Sequence, residues 1–163
     1  RKKPIAVHTP LLSGLAGVGR MDIAGKSREE VLLDTKMSKS LPETCIFVHD
    51  TPEDIKKKIR KAYCPPKDAM FNPVMEINRY LLFTRDNFTL EIHRPEKYGG
   101  DLIVESYSEL EQLYLEGKIH PLDLKNATAD ALIEFLKPVR EYFERNIEAK
   151  KLLMKLQTIK KTR

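Results

Sequence analysis

The chain has 163 residues, of which 41% are hydrophobic and 33% charged, and its formal net charge is +5. This length and hydrophobic content suffice for one sizeable core or two small ones, so we expect a folded, soluble protein. The excess of Lys and Arg favours polyanions, such as nucleic acid or nucleotide phosphates, as partners. No run approaches the roughly 18 apolar residues of a membrane span and no charged-then-apolar leader opens the chain, so we expect a cytoplasmic protein that contacts no membrane.

The first part of the chain predicts a small α/β portion. Residues 5–8 form a short apolar run that predicts a buried strand, and Pro10 ends it because proline cannot donate to a sheet ladder. Residues 14–19 contain three glycines and predict a flexible loop. Ser27 with Glu30 three residues later is a capping-box pattern, which predicts the start of a short helix.

The predicted helix leads into the pentapeptide KMSKS, residues 36–40. Lys36 and Lys39 place two ammonium groups on a polar segment, beside hydroxyl and backbone N–H groups. Such donors suit a polyphosphate whose charge grows during a reaction, because fixed donors then stabilise the transition state more than the ground state. For an arbitrary pair of lysines at this spacing, a solvated loop is the alternative. The complete pentapeptide after an α/β segment favours nucleotide chemistry.

Beyond this pentapeptide, residues 45–48 predict a second strand, and the pattern then becomes helical. Pro52, in the first turn of the next helix, marks its start. Ile55 and Ile59 lie on one face of that helix, while the basic residues within 56–61 cover the other faces. This arrangement predicts an amphipathic helix with a solvated basic surface.

A short hairpin is predicted next. Residues 88–92 alternate as a half-buried strand does, and residues 102–104 are expected to pair with them. Ser108 opens a second capping-box pattern, and Gly117 is the residue type that ends a helix in the left-handed conformation. These signals predict a helix that starts near Ser108 and ends at Gly117.

The rest of the chain is helical in character from Pro121 onward. Pro138 is expected to start a new segment or to kink the helix, since proline lacks the donor that a helix needs. Residues 160–163 form a basic tail that is expected to fray. Cys45 and Cys64 lack disulfide density and metal-ligand spacing, so we expect buried free thiols and no metal site.

Several stretches resemble one known family. KMSKS is the second signature of class I aminoacyl-tRNA synthetases. The stretches VHTPLLSGLAG, IFVHDTPEDIKKKIRKAYCPP, EKYGGD and HPLDLKNA resemble the C-terminal half of tyrosyl-tRNA synthetases of the archaeal and eukaryotic type. The resemblance runs from about residue 5 to residue 145. It implies the α/β end of a Rossmann-like catalytic domain over residues 1–50, followed by a mainly α-helical anticodon-binding domain over residues 51–163.

The resemblance implies an ATP site at the signature. Such enzymes form tyrosyl adenylate from ATP, with Mg²⁺, and L-tyrosine, and then transfer the tyrosyl group to tRNA(Tyr). By the family pattern, Lys36 and Lys39 hold the β and γ phosphates as pyrophosphate leaves, and Met37 anchors the loop by packing. The same pattern implies that Ser38 and Ser40 contact ATP through hydroxyl or backbone groups. It also implies that the backbone of Leu11 and Leu12 contacts adenine.

The resemblance also implies an anticodon site. Tyr98, in the turn before two glycines, is expected to stack on the first anticodon base, and stacking contributes roughly 1–3 kcal/mol per base. Asp123 is expected to accept hydrogen bonds from the N1 and N2 groups of guanine, with His120 flanking the base. Taken alone, Tyr98 is an ordinary turn aromatic and Asp123 a carboxylate that favours a helix N-terminus. The lysines of residues 56–61 either form a solvated face or lie along tRNA.

The chain departs from the family pattern in two ways. The H-I-G-H signature and the tyrosine pocket, which the family places upstream, are absent, and the first residue is Arg1 rather than Met. We therefore expect a fragment that does not form the adenylate alone and that acts with a missing N-terminal half. Residues 20–35 form an insertion before the signature, so the hinge of the loop is expected to lie elsewhere.

The sequence therefore predicts the C-terminal portion of a tyrosine–tRNA ligase. The full-length enzyme is expected to be a homodimer, and the fragment could be a monomer. Two alternatives stay open at this point: a tRNA-binding module that has lost catalysis, and a relative of tryptophanyl-tRNA synthetases.

Overall fold

The computed structural model describes residues 5, 7–19 and 21–158. These residues form helices and one small sheet, in the order α1 (Arg28–Thr35), α2 (Pro52–Lys61), α3 (Pro73–Ile77), β1 (Leu90–Ile92), β2 (Leu102–Val104), α4 (Tyr107–Leu115), α5 (Pro121–Arg145) and α6 (Ile147–Thr158). Single 3₁₀ turns lie at Pro42–Thr44 and Glu96–Tyr98, and a π-helical turn, Asn78–Leu82, continues α3. Within the described ranges, none of the helices is both long and apolar enough to cross a membrane.

The hydrophobic core lies where α2, α3, β1 and α5 meet. Ile55 and Ile59 are fully buried because the apolar residues of α2 recur at helical spacing and face α5. Each such side chain contributes about 1.5–3 kcal/mol when it leaves water. One buried polar contact crosses this core, in which Asn78 donates its side-chain amide N–H to the Thr128 hydroxyl at 2.7 Å.

The predicted hairpin is confirmed. β1 and β2 pair antiparallel, with Leu90 opposite Val104. Leu90 and Ile92 are buried while Glu91 between them is exposed, so β1 has one apolar face, which packs against α5. The sheet thereby places the loop after β1 beside the first turn of α5.

The cap of α1 is also confirmed. The Ser27 hydroxyl accepts a hydrogen bond from the Glu30 N–H at 3.3 Å, and the Glu30 carboxylate accepts one from the Ser27 N–H at 2.7 Å. The hydrogen bond from Ser27 keeps the pKa of Glu30 below its usual value. The reciprocal pair satisfies two backbone donors that would otherwise lack partners at the start of the helix.

Helix α4 begins two residues earlier than predicted. The Ser106 hydroxyl accepts from the Glu109 N–H at 3.2 Å, and the Glu109 carboxylate accepts from the Glu105 N–H at 2.9 Å. Both serines stand three residues before an acidic residue, and the structure uses Ser106 rather than Ser108 as the cap. The predicted end is confirmed, since Gly117 has a φ of 78° in the left-handed region that glycine tolerates best.

The strand predicted over residues 5–8 is wrong. Of the residues described there, none lies in a strand, and Ile5 and Val7 are 95% and 85% exposed. A strand needs a neighbour for its N–H and C=O groups, and no strand of the described residues pairs with this segment. An apolar run alone therefore does not fix a strand.

The strand predicted over residues 45–48 is also wrong. The chain turns there, with the Asp50 N–H donating to the Phe47 carbonyl at 3.0 Å and the Phe47 N–H donating to the Asp50 carboxylate at 2.9 Å. The Lys58 ammonium group donates to the Cys45 carbonyl at 3.0 Å. Side chains thus satisfy backbone groups that a neighbouring strand would have satisfied.

No new segment starts at Pro138. Helix α5 continues through Pro138 to Arg145, and the break comes at Asn146. The Asn146 side-chain oxygen accepts from the Ala149 N–H at 2.9 Å and so caps the start of α6. The predicted basic tail, residues 160–163, lies outside the described residues.

Both cysteines are buried thiols, as predicted. The Cys64 sulfur lies 3.2 Å from the Tyr114 hydroxyl and accepts from the Asn72 side-chain amide at 3.6 Å. Burial raises the pKa of the Cys64 thiol, so it stays protonated near neutral pH. Among the described residues, no group of three or more His, Cys, Asp or Glu side chains is placed to hold a metal ion.

The solvated basic surface predicted for α2 is wrong at one position. Lys58 is 11% exposed and forms a 2.7 Å ion pair with Asp50, which is 8% exposed. Its ammonium group also lies 4.9 Å from the centre of the Phe47 ring. The pair fixes the turn after the signature segment against α2.

We predict that Lys58→Met lowers the free energy of unfolding by about 3–5 kcal/mol, because it leaves the Asp50 carboxylate buried without its charge partner. Urea denaturation of this chain measures the change. The control is Arg145→Met, which removes an exposed ion pair with Glu141 and is expected to cost under about 1 kcal/mol. Equal losses for the two variants would contradict a special role of the buried pair.

Candidate functional site

The signature segment is hydrogen-bonded to the predicted adenine segment. Ser13 and Lys36 form an isolated antiparallel bridge. The Gly14 N–H donates to the Thr35 carbonyl and the Met37 N–H to the Leu12 carbonyl, both at 2.6 Å. Two segments that the sequence predicted separately as ATP contacts therefore run side by side.

Gly14 is needed at this bridge because the chains approach closely. A Cβ atom at Gly14 would lie 3.3 Å from the Thr35 carbonyl oxygen, which is tighter than most such contacts. The Thr35 hydroxyl donates to the Val31 carbonyl at 2.7 Å, so the last turn of α1 is itself fixed. The start of the signature segment is thus held by a well-defined backbone.

Glu76 of α3 holds the adenine segment from the helical side. One oxygen of its carboxylate accepts from the Ser13 N–H at 2.8 Å, and the other accepts from the Ser13 hydroxyl at 3.1 Å. Ser13 is 2% exposed, so water competes little for these bonds. Glu76 and Ser13 are 63 residues apart in sequence, and sequence reasoning missed this contact.

The rest of the signature segment forms an exposed turn. The Ser38 hydroxyl accepts from the Ser40 N–H at 3.3 Å, and the Leu41 N–H donates to the Ser38 carbonyl at 3.1 Å. Met37 is half-buried and packs against the core, while the Lys39 side chain is exposed. The turn therefore projects from a packed base.

A cavity of about 490 Å³ lies beside this segment. Lys36 and Thr35 line one side of it and Gly14 and Gly17 another. Lys36 is exposed, so its ammonium group remains hydrated and accessible to an anion. Lys36 and Lys61 both line the cavity and can present ammonium groups to a phosphate, while Asp34 contributes one carboxylate.

The three residues predicted to bind the anticodon line a second cavity, of about 480 Å³. Tyr98 ends the 3₁₀ turn Glu96–Tyr98 and is 63% exposed, and the next residue, Gly99, has a φ of 97° that only glycine adopts easily. His120 is the N-cap of α5 and Asp123 lies in its first turn. The structure therefore brings Tyr98, His120 and Asp123 together from two separate loops.

His120 has a structural role at this cavity. Its Nδ1 accepts from the Leu122 N–H at 3.1 Å, which assigns the ring proton to Nε2 in the neutral form. Asp123 is half-buried and its carboxylate favours the positive end of the α5 dipole. The ring edge of His120 and the carboxylate of Asp123 are thus a donor and an acceptor facing the same space.

Arg94 joins the two walls of this cavity, and sequence reasoning missed it. Its Nε donates to the Gly100 carbonyl at 2.9 Å and its Nη1 to the Lys118 carbonyl at 2.7 Å. These bonds tie the turn that carries Tyr98 to the loop that leads into His120. Arg94 lies directly before Pro95 and two residues before the turn. No pattern in the sequence around it indicates these hydrogen bonds.

Comparison with known proteins identifies the family. Residues 31–137 match the family described as tRNA synthetases class I (W and Y). The chain is 56% identical over 140 residues to the tyrosine–tRNA ligase of Aeropyrum pernix and 52% identical over 157 residues to that of Sulfurisphaera tokodaii. The two matches cover 86% and 96% of this chain, respectively, but only 38% and 43% of the relatives. The chain therefore spans about two fifths of the length of the curated relatives it matches.

Solved structures agree with this match. The crystal structure of tyrosyl-tRNA synthetase from Aeropyrum pernix has a TM-score of 0.79 at 44% identity, and covers 98% of this chain and 41% of its own. Tyrosyl-tRNA synthetase from Pyrococcus horikoshii, complexed with L-tyrosine, has a TM-score of 0.79 at 41% identity over 89% of this chain and 39% of its own. The family match covers residues 31–137, which are more than half of this chain. This chain therefore belongs to the tyrosyl-tRNA synthetase family of the class I (W and Y) tRNA synthetases.

Proposed function

We propose that this chain is the C-terminal portion of a tyrosine–tRNA ligase, and that it supplies the signature loop and reads the anticodon. The observation that supports the proposal is the 2.6 Å hydrogen bond from the Met37 N–H to the Leu12 carbonyl, which joins the predicted adenine segment to the signature segment. The curated relatives named above, all tyrosine–tRNA ligases, support it against a tryptophanyl enzyme. The homodimer of the full-length ligase and its cytoplasmic location remain predictions.

The division of the chain near residue 50 also remains a prediction. The family match runs across this position without interruption, from residue 31 to residue 137. We propose that residues 1–50 complete the nucleotide-binding fold and that residues 51–163 form the anticodon-binding domain. The Glu76–Ser13 contact then joins the two parts.

In the proposed reaction, a carboxylate oxygen of tyrosine attacks the α-phosphorus of ATP. The bond from that phosphorus to the oxygen bridging to the β-phosphate breaks, and pyrophosphate leaves with the bonding pair. Lys36, at the bridge, and Lys39, on the turn after it, are both exposed, so their ammonium groups can meet the departing charge. Mg²⁺ enters with ATP as part of the substrate. The tyrosine pocket belongs to the N-terminal half of the ligase.

We propose that the second cavity holds the first anticodon base. Tyr98 presents an exposed ring on which a base can stack, and the Asp123 carboxylate can accept from the N1 and N2 groups of guanine. The Lys97 ammonium group lies 4.8 Å from the centre of the Tyr98 ring, so one face of the ring is already occupied by a cation. The base then stacks on the other face.

We predict that Lys39→Ala in the full-length ligase lowers the rate of tyrosine-dependent ATP–pyrophosphate exchange by about 100-fold or more, because a fixed donor to the developing charge is lost. The control is Lys26→Ala, which removes an exposed lysine that pairs with Asp34 before α1. If both variants exchange at the parental rate, Lys39 does not stabilise the leaving pyrophosphate.

We predict that Asp123→Asn lowers the preference of this chain for guanine at the first anticodon position by about 10- to 100-fold, because an amide N–H replaces an acceptor opposite a guanine donor. Titration with tRNA(Tyr) and with a transcript altered at that base measures the preference. Glu134→Gln, an exposed change on the same helix, is the control and should preserve it. Equal preference in Asp123→Asn and the parent would remove Asp123 from the site.

The second candidate function is a tRNA-binding module without catalysis. The observation that favours it is that Tyr98, His120 and Asp123, the residues predicted to bind the anticodon, all line one cavity of this chain. Pyrophosphate exchange distinguishes the two candidates. A full-length protein that binds tRNA(Tyr) but does not exchange pyrophosphate would favour the module.

A further inference from the structure

A basic groove of about 560 Å³ lies between α2 and α5. We call it the basic groove and define it by its cationic lining residues: Lys56, Lys57, Arg60, His93 and Lys125. Asp130 is the one acidic residue in the lining. Four permanent cations therefore face one carboxylate, which gives the groove a positive potential that attracts anions.

Contacts within the protein do not neutralise this charge. Lys56 pairs with Asp130 at 2.9 Å, but the two side chains are 61% and 59% exposed, so water and salt screen the pair. The Lys125 ammonium group donates to the Arg60 carbonyl at 3.2 Å, near the end of α2. That contact uses one of three N–H donors and leaves the others directed to solvent.

The basic groove and the anticodon cavity have no lining residue in common, but the same chain segments contribute to both. His93 lines the groove and its chain neighbour Arg94 lines the cavity. Likewise Asp123 lines the cavity, while Lys125, two residues later on α5, lines the groove. Asp123 and Lys125 lie on the same turn of α5 but project to different sides of it, so the backbone of a nucleotide chain whose base enters the cavity reaches the groove by continuing around this turn.

The chemistry of the groove fits phosphate rather than a base. Its lining combines flexible ammonium groups and a guanidinium, and the one ring in it is the imidazole of His93, which lies 3.0 Å from the Asp101 carboxylate. Neutralisation of charge therefore dominates over stacking. Exposed lysines bind phosphates without regard to sequence and release condensed counterions. Recognition of the base and binding of the backbone would then be carried out by two neighbouring surfaces.

We propose that the basic groove binds the tRNA sugar-phosphate backbone adjoining the base held by Tyr98 and Asp123. This inference rests on the proposed function, since it takes tRNA as the ligand. The groove contributes affinity that depends on salt and not on the anticodon sequence. The anticodon cavity contributes the preference for one base.

The test uses this chain and the tRNA(Tyr) transcript of Aeropyrum pernix, titrated by fluorescence anisotropy at several KCl concentrations. In the groove variant, Lys56, Lys57 and Arg60 are all replaced by Gln. We expect the slope of log K against log salt to become shallower by about 2, since each lost phosphate contact removes about 0.7–0.9. The loss of affinity should be equal for the transcript altered at the first anticodon base.

The matched control replaces Lys150, Lys151 and Lys155 of α6 by Gln, which removes the same charge from exposed positions outside the groove. We expect its salt slope to equal that of the parent. Lys57→Glu provides a second groove variant at an exposed position, and it should weaken binding more than Lys151→Glu does. Thermal melting followed by circular dichroism compares the folding of all variants.

The outcomes separate this inference from the proposed function. If the groove variant keeps the parental slope of log K against log salt, or changes it only as much as the α6 control does, the groove does not bind the tRNA backbone. A groove variant that loses the preference for guanine also overturns the inference, because the groove would then read the base. A parent chain that does not bind tRNA(Tyr) overturns the proposed function together with the groove.

Discussion

The contact between Glu76 and Ser13 fixes the segment around Ser13, and the signature segment bridged to it, against the helical part of the chain. Both oxygens of one carboxylate bind the N–H and hydroxyl of one buried residue, at 2.8 and 3.1 Å. Ser13 in turn bridges Lys36, whose neighbour Met37 donates to the Leu12 carbonyl. A charged hydrogen bond in a site with little water contributes about 1.5–3 kcal/mol, which is enough to fix a segment that lacks a sheet of its own.

This constraint holds one of the two cavities that we propose as binding sites. The turn after Met37 projects from a base that is held by backbone hydrogen bonds, and Met37 packs against the core while Lys36 and Lys39 are exposed. The anticodon cavity has a different support, since Arg94 joins the turn that carries Tyr98 to the loop before α5. Exposed cations suit the proposed binding of a departing phosphate, and a cavity with fixed walls suits the proposed recognition of one base.

The sequence predicted features that depend on neighbouring residues. The cap of α1 at Ser27 and the end of α4 at Gly117 require only contacts within four residues, and both were confirmed. The strand predicted for residues 45–48 failed because its backbone partners are side chains from elsewhere. Glu76 looks like any surface glutamate in the sequence, since its partner lies 63 residues away. The three anticodon residues were predicted through family resemblance, not from local pattern.

Amide hydrogen exchange of Gly14 and Met37 tests most directly whether Glu76 holds the adenine and signature segments together. In Glu76→Ala, the account predicts that both amides exchange about 10-fold faster or more, while the core amide of Ile92 keeps its parental rate. The control Glu111→Ala removes a different carboxylate contact, to the Tyr107 hydroxyl, and should leave all three rates unchanged. Parental protection of Gly14 and Met37 in Glu76→Ala would contradict the account.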